Sequence, residues 1–235
     1  MTALNNEYWA KIPSEQIMTR KIVPGDELLT QLPPGAEILD LGCGNGHISK
    51  YLFEKGYRVS AIDINNDAIR LNQERYPNIH FVCSDIKKEL PFQNGTFDAI
   101  TISFVLTSFI DEKERNSLLN EIERVLKPGG FVWLREPLVS PDYALRYEIS
   151  KPILSKEYSF FVYSEKNLSH AVTTTAELQK TIENKQTDRI AHHYTENELD
   201  SVFNSFQKVF SAIYKDASPH SGTILILLTA VYKKR

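Results

Sequence analysis

Residues 37 to 49, Glu37-Ile38-Leu39-Asp40-Leu41-Gly42-Cys43-Gly44-Asn45-Gly46-His47-Ile48-Ser49, restrict the possible folds more than any other stretch of the chain. An apolar run, Ile38 to Leu41, is broken only by Asp40, as in a parallel-sheet strand covered on both faces. Gly42, Gly44 and Gly46 follow at alternate positions. Ile48, Tyr51, Leu52 and Phe53 then recur at helical spacing, and Gly56 closes the segment as a C-terminal cap. Strand, glycine turn and helix N-terminus form a corner that faces a ligand. Glycine lets the backbone come close, and the first helical turn leaves its N–H groups without partners.

The dinucleotide fingerprint is G-x-G-x-x-G, with a pyrophosphate on the helix N-terminus. Here the spacing is G-x-G-x-G, and Asp40 precedes it. A carboxylate at the strand end is unfavourable beside a pyrophosphate and suits a cation, such as an ammonium or sulfonium group. A bare structural turn is the plain alternative. With "ILDLGCGNG" the sequence resembles the class I S-adenosylmethionine-dependent methyltransferases. The resemblance implies a Rossmann-like α/β fold, S-adenosylmethionine as cofactor, and ligand contacts from Asp40, Gly42, Gly44 and Gly46.

The following segments continue the alternation of strand and helix. Arg58 to Ile62 reads as a second strand ending at Asp63, 17 positions after Gly46. A strand-end carboxylate at about this distance accepts hydrogen bonds from both ribose hydroxyls; a solvated strand-end aspartate is the other reading. Ile64 is placed to lie against an adenine face. Asn65 or Asn66 caps a helix to Arg75, and Ile79 to Cys83 is a third strand. The resemblance implies that Asp85 takes the adenine amino group and that the Ile86 N–H reaches a ring nitrogen; a simple loop cap by Asp85 is the alternative.

"LPF…GTFDAI" resembles the family's approach to a fourth strand, Ala99 to Ser103. Asp98, at its start, reads as structural. At its far end, a backbone carbonyl of Ser103-Phe104 is a seat for the methionine ammonium. Val105 to Phe109 follow at the pocket mouth. Asp111 and Glu114 form a capping box for a helix from Glu112 to Val125. Lys127-Pro128-Gly129-Gly130 then turns into a fifth strand, Phe131 to Leu134, in "LKPGGFVWL", a further resemblance. Arg135-Glu136-Pro137 ends this strand on the ligand side.

Residues 1–36 read as an N-terminal helical cap, which in the resembled family often folds over the cofactor; covering of the sheet edge is the other reading of Tyr8 and Trp9. Residues 138–193 lack a doubly wound pattern but are rich in aromatics, too apolar for a linker. They are expected to be an inserted helical lid, with a packing or dimerisation arm as the alternative. Thr195 and Glu198 cap a last helix. Gln207 to Tyr214 and Thr223 to Tyr232 are strands joined by too few residues for a parallel crossover, so they pair antiparallel. The expected fold is a single 235-residue domain: a seven-stranded, mostly parallel sheet with an antiparallel last strand and a helical lid insertion.

Methyl transfer needs mainly positioning and a dry pocket. A base is required only when the acceptor is protonated. Glu136, His192 and His193 are the candidate catalytic groups; a salt bridge for Glu136 and ordinary packing for the histidines are the alternatives. Cys43 and Cys83 have no metal-ligand spacing with these histidines, so no metal is expected. Nor is a disulfide framework, which points to a reducing, cytoplasmic compartment. The net charge of −3 and the absence of a long basic run argue against nucleic acid, and Phe104-Val105-Leu106 stands where nucleic-acid amino-methylating enzymes carry an Asn-Pro-Pro-Tyr-type sequence. No apolar run reaches the roughly 20 residues that span a bilayer, and no signal peptide is read. The expected partner is a small-molecule acceptor, with oligomeric state open. A non-catalytic cofactor-binding partner subunit and a nicotinamide-dependent oxidoreductase are the rival functions.

Overall fold

Alternation of apolar side chains to both faces of each central strand forces helices onto both sides of the sheet. The structure, a computed structural model, describes residues 2–17, 22–139, 160–163, 170–172, 189–217 and 224–235. Its strands are β1 (Glu37–Leu41), β2 (Arg58–Asp63), β3 (His80–Cys83), β4 (Phe97–Ser103), β5 (Leu126–Leu138), β6 (Phe160–Tyr163), β7 (His170–Val172), β8 (Arg189–His192), β9 (Phe206–Ala217) and β10 (Ile224–Lys234). The main sheet has the order β3-β2-β1-β4-β5-β10-β9. Strands β1 to β5 are parallel, and β10 runs antiparallel to both β5 and β9. The reversed last strand is the one expected from the short connection.

The helices are α1 (Thr2–Lys11), α2 (Asp26–Leu29), α3 (His47–Glu54), α4 (Asn66–Arg75), α5 (Glu112–Val125) and α6 (Glu196–Val202). On one face Leu39, Leu41, Ile100, Ile102, Val132 and Leu134 pack with Leu118, Ile122 and Val125 of α5 and Leu199 of α6. On the other, Ile38, Ala99 and Trp133 pack with Ile48 and Leu52 of α3 and Ile69 of α4. Each aliphatic side chain so buried contributes ~1.5–3 kcal/mol. The caps follow the sequence: the Asn65 side chain accepts from Ala68 N–H, Asp111 from Lys113 and Glu114 N–H, and Thr195 from Glu198 N–H.

Two expectations need correction. The fifth strand starts earlier and ends later than Phe131 to Leu134. Leu126 pairs with Phe97 and Phe131 with Ala99, so Lys127 to Gly130 bulge out of one continuous strand opposite Asp98 alone. Asp98 stabilises the bulge: it accepts from Glu37 N–H and from Lys127 Nζ, both at 2.8 Å. The described part of the 138–193 insertion is not helical. It is a three-stranded antiparallel sheet, ordered β7-β6-β8. Its β-branched and aromatic segments, Phe160 to Tyr163 and His170 to Val172, favour strands. The rest of the expected helical lid lies outside the described residues.

Candidate functional site

In open α/β sheets the ligand crevice lies beyond the carboxyl ends of the strands. A cleft of about 1130 Å³, counting its open mouth, occupies this place. Of the residues singled out from the sequence, Asp40, Gly42, Gly44, Asp63, Ile64, Asp85, Ile86 and Ser103 line it, from four strand ends. Phe104, Val105, Ser108 and Phe109 add its floor, and Asn6, Trp9 and Ile17 of the N-terminal segment close over it.

The glycine turn is held by its neighbours. Gly42 and Cys43 N–H donate to the Ile62 carbonyl at 2.8 and 3.0 Å, and Gly44 N–H donates to Asp63 Oδ2 at 2.8 Å. Gly42 has φ +74°, and a Cβ there would lie 2.4 Å from Val105 Cγ2. Only glycine admits this approach of turn and cleft floor. Gly46, by contrast, does not line the cleft. It is the left-handed N-cap of α3, and a Cβ on it would press at 3.1 Å against the Asn72 amide, which itself donates to the Gly44 carbonyl.

Three carboxylates stand at the strand ends. Asp40 is buried and accepts from Ser49 Oγ at 2.5 Å and Thr101 Oγ1 at 3.0 Å. Burial raises its pKa, against the pull of these hydroxyls. Asp63 accepts from Gly44 and Asn65 N–H, and burial raises its pKa too. Asp85 accepts from Lys87 N–H at 3.0 Å, the loop cap foreseen as its alternative role, and from Asn6 Nδ2 at 2.8 Å. The Cys43 thiol, also in the cleft, is pushed up by burial and by the nearby aspartates, so it stays protonated.

Glu136, His192 and His193 are absent from the cleft lining. Glu136 lies fully buried beneath the turn at 105–106. Its Oε1 accepts from Val105 and Leu106 N–H, both at 2.8 Å, while Oε2 has no hydrogen-bond partner among the described residues. Burial pushes its pKa up to about 8. His192 ends β8, bonded to Glu198 Oε1 at 2.8 Å, and both are buried. Burial, the largest influence, tends to raise Glu198, but His192, a backbone bond at Thr195 and the Arg115 charge together hold the carboxyl below its usual value. His193 is buried as well. Next to it, the Tyr194 hydroxyl donates to the Leu106 carbonyl at 2.9 Å, so this segment braces the cleft floor from behind. Strand-end position and chain order placed these three groups near the crevice; the tertiary packing that turned them away has no local signal.

The N-terminal segment is tied down at several points. Trp9 Nε1 donates to Ser108 Oγ, and Asn65 Nδ2 donates to the Trp9 and Ile12 carbonyls, each at 2.9 Å. Asn45 Nδ2 donates to the Ile17 carbonyl at 2.9 Å. Asn6, Asn45, His47 and Lys87 are cleft residues that the sequence reading missed. Asn45 sat in the glycine turn as a polar signal; Asn6 had none. Among the described residues no group of three or more His, Cys, Asp or Glu side chains could hold a metal. Cys43 and Cys83 are both free, and no described helix is long and apolar enough to cross a membrane.

Comparison with known proteins agrees with this geometry. A family profile described as a methyltransferase domain matches residues 38–130. A ubiquinone/menaquinone biosynthesis C-methyltransferase of Vibrio cholerae is 36% identical over 143 residues, 55% of this chain and 48% of that protein. The chain thus spans about half the length of the curated relatives it matches. A solved S-adenosylmethionine-dependent methyltransferase from Methanosarcina mazei is 30% identical, with a TM-score of 0.69 over 87% of this chain and 95% of that one. The 1,6-didemethyltoxoflavin-N1-methyltransferase of Burkholderia thailandensis, solved with S-adenosylhomocysteine, shares the fold, with a TM-score of 0.58 at 19% identity over 88% of this chain and 75% of that one.

Proposed function

The chain belongs to the S-adenosylmethionine-dependent methyltransferases, and on that premise we propose that it transfers a methyl group from S-adenosylmethionine to an O, N or C atom of a small-molecule acceptor. The observation that carries this reading is the convergence of the glycine turn, Asp63 and Asp85 on one cleft. The residues fit the cofactor. Asp63 keeps lone pairs beyond its two backbone bonds for ribose hydroxyls, because a carboxylate has about four acceptor sites. Asp85 and the Ile86 N–H face an adenine edge, with Ile64 against the ring. Ser103 and Phe104 offer carbonyls to the ammonium, near the Asp40 carboxyl.

The cofactor, when bound, supplies a methyl group made electrophilic by its sulfonium. The chain's own contribution is orientation and exclusion of water. Trp9, Ile17, Phe104 and Phe109 form apolar walls around the acceptor's approach. With Glu136, His192 and His193 outside the lining, positioning rather than proton abstraction by these groups supports the rate in this reading. The apolar walls favour a flat, weakly polar acceptor, and the curated relatives named for quinone biosynthesis support the same class. The two free cysteines fit a reducing, cytoplasmic compartment.

The test is incubation with methyl-deuterated S-adenosylmethionine and a host metabolite extract, read by mass spectrometry. A labelled small molecule is the expected product and names the acceptor. Label confined to protein or RNA overturns the small-molecule assignment. No label with demonstrated S-adenosylhomocysteine binding favours the non-catalytic partner subunit, and NADH binding in its place favours the oxidoreductase.

A further inference from the structure

Beside the Tyr194 brace, one carboxyl holds two successive N–H groups of the cleft floor from below. Strand β4 ends at Ser103, and the chain then turns through Phe104 and Val105 into a short 3₁₀ segment, Leu106–Ser108. Phe104 has φ +58°, the only non-glycine residue with positive φ among those described. A phenylalanine stays in that region only when its surroundings over-determine the turn. Three successive N–H groups do so. Phe104 N–H donates to the Arg135 carbonyl at 2.9 Å, and Val105 and Leu106 N–H both donate to Glu136 Oε1 at 2.8 Å.

A trans peptide fixes the carbonyl of one residue opposite the N–H of the next. Pinning Val105 N–H to Glu136 therefore turns the Phe104 carbonyl away from Glu136, where it accepts from Thr107 Oγ1 at 3.1 Å, and pinning Phe104 N–H to the Arg135 carbonyl turns the Ser103 carbonyl away from β5. Ser103, Phe104 and Val105 all line the cleft. Val105 also lies against the glycine turn, in the space that a side chain at Gly42 would need. A group with no exposure, whose one bonded oxygen serves two N–H groups of the cleft floor, is placed to set that floor's geometry.

Resting on the methyltransferase reading, we infer that Glu136 is a positioning residue that orients the 103–105 backbone toward the amino-acid end of S-adenosylmethionine. It touches no ligand itself. The role is distinct from general stability because it predicts selective loss. Ligands that carry the homocysteine ammonium depend on the turn; ligands that carry only the adenosyl part depend on Asp63, Asp85 and Ile86, which Glu136 does not contact.

Calorimetry on the full chain with two ligands tests this. S-adenosylhomocysteine has the amino-acid end and 5′-methylthioadenosine lacks it. Glu136→Asp retracts the carboxyl by one methylene and Glu136→Ala removes it. Both are expected to weaken S-adenosylhomocysteine at least about tenfold while changing 5′-methylthioadenosine less than about twofold; if the alanine variant does not fold, the aspartate variant gives the result. Glu136→Gln keeps an acceptor oxygen and is expected to restore S-adenosylhomocysteine to within about threefold of wild type. Equal loss of both ligands, or no loss of either, overturns the positioning role. Wild-type protein that binds neither ligand overturns the cofactor reading and the inference with it, whereas selective binding by wild type with an unaltered Glu136→Asp profile overturns only the inference.

Discussion

Asp63 accepts two backbone hydrogen bonds, from the glycine turn and from the start of α4. Asp63→Ala removes the proposed ribose acceptor and loosens the turn together, so S-adenosylhomocysteine affinity should fall by more than about tenfold; unchanged affinity in calorimetry would sink the ribose assignment. Glu136 makes a prediction through pH. Its folded pKa of about 8 lies above its unfolded value, so the folded state holds the extra proton. Stability from this group is fully present below about pH 4.5, declines as pH rises toward 8, and is flat beyond. Glu136→Gln cannot ionise, so its stability relative to wild type should rise across that window, by up to about 5 kcal/mol at ~1.4 kcal/mol per pH unit. Urea melts at pH 5, 6.5 and 8 check this; parallel curves for the two proteins would refute the buried, neutral acid. The sequence showed Glu136 as a charge at a strand end. It could not show that the side chain turns inward, because that depends on the 105–106 turn coming to lie over it.

Among the elements, α1 and α4 share one residue. The Asn65 oxygen caps α4 by accepting from Ala68 N–H, and its nitrogen donates to the Trp9 and Ile12 carbonyls. The two functions separate by substitution. Asn65→Asp keeps the cap acceptor and loses both donor bonds, so hydrogen exchange in α1 should speed while α4 stays protected. Asn65→Ala also loses the cap, at about 1–2 kcal/mol, and both helices should exchange faster. Equal protection of α1 in wild type and Asn65→Asp would show that the N-terminal segment is held by other contacts. The caps at Asn65, Asp111 and Thr195 were legible because capping is local chemistry. The bulge at Lys127 to Gly130 was not. Its Pro-Gly-Gly composition marks a break in the chain, and only pairing with β4 shows that the strand continues through it.

For the molecule as a whole, the succession of parallel strands and the antiparallel end of the sheet were legible from the glycine corner, the acidic strand ends and the short final connection, while the order of the strands across the sheet comes from the structure. The cleft's strand-end residues were readable for the same reason: they sit at the ends of elements that the pattern already located. His192 and His193 were misplaced because they belong to a segment that Tyr194 fixes to the distant 106–109 turn, while His192 itself turns to Glu198 of the following helix. The insertion's small sheet was missed because short strands within an aromatic-rich stretch carry little periodicity.

Asn6 has a kinetic consequence. Its amide already donates to Asp85 Oδ2, on the carboxylate proposed for an adenine amino group, while Trp9 is latched to Ser108 across the same mouth. A ligand arriving at the closed protein meets a carboxylate already bonded to Asn6 and a mouth spanned by the Trp9 latch, and the expectation is that capture follows release of α1. Stopped-flow traces for S-adenosylhomocysteine should then show an observed rate that levels off with ligand concentration at the unlatching rate. Asn6→Ala should lift that ceiling several-fold. A rate that climbs linearly without limit would mean that the door stands open in solution.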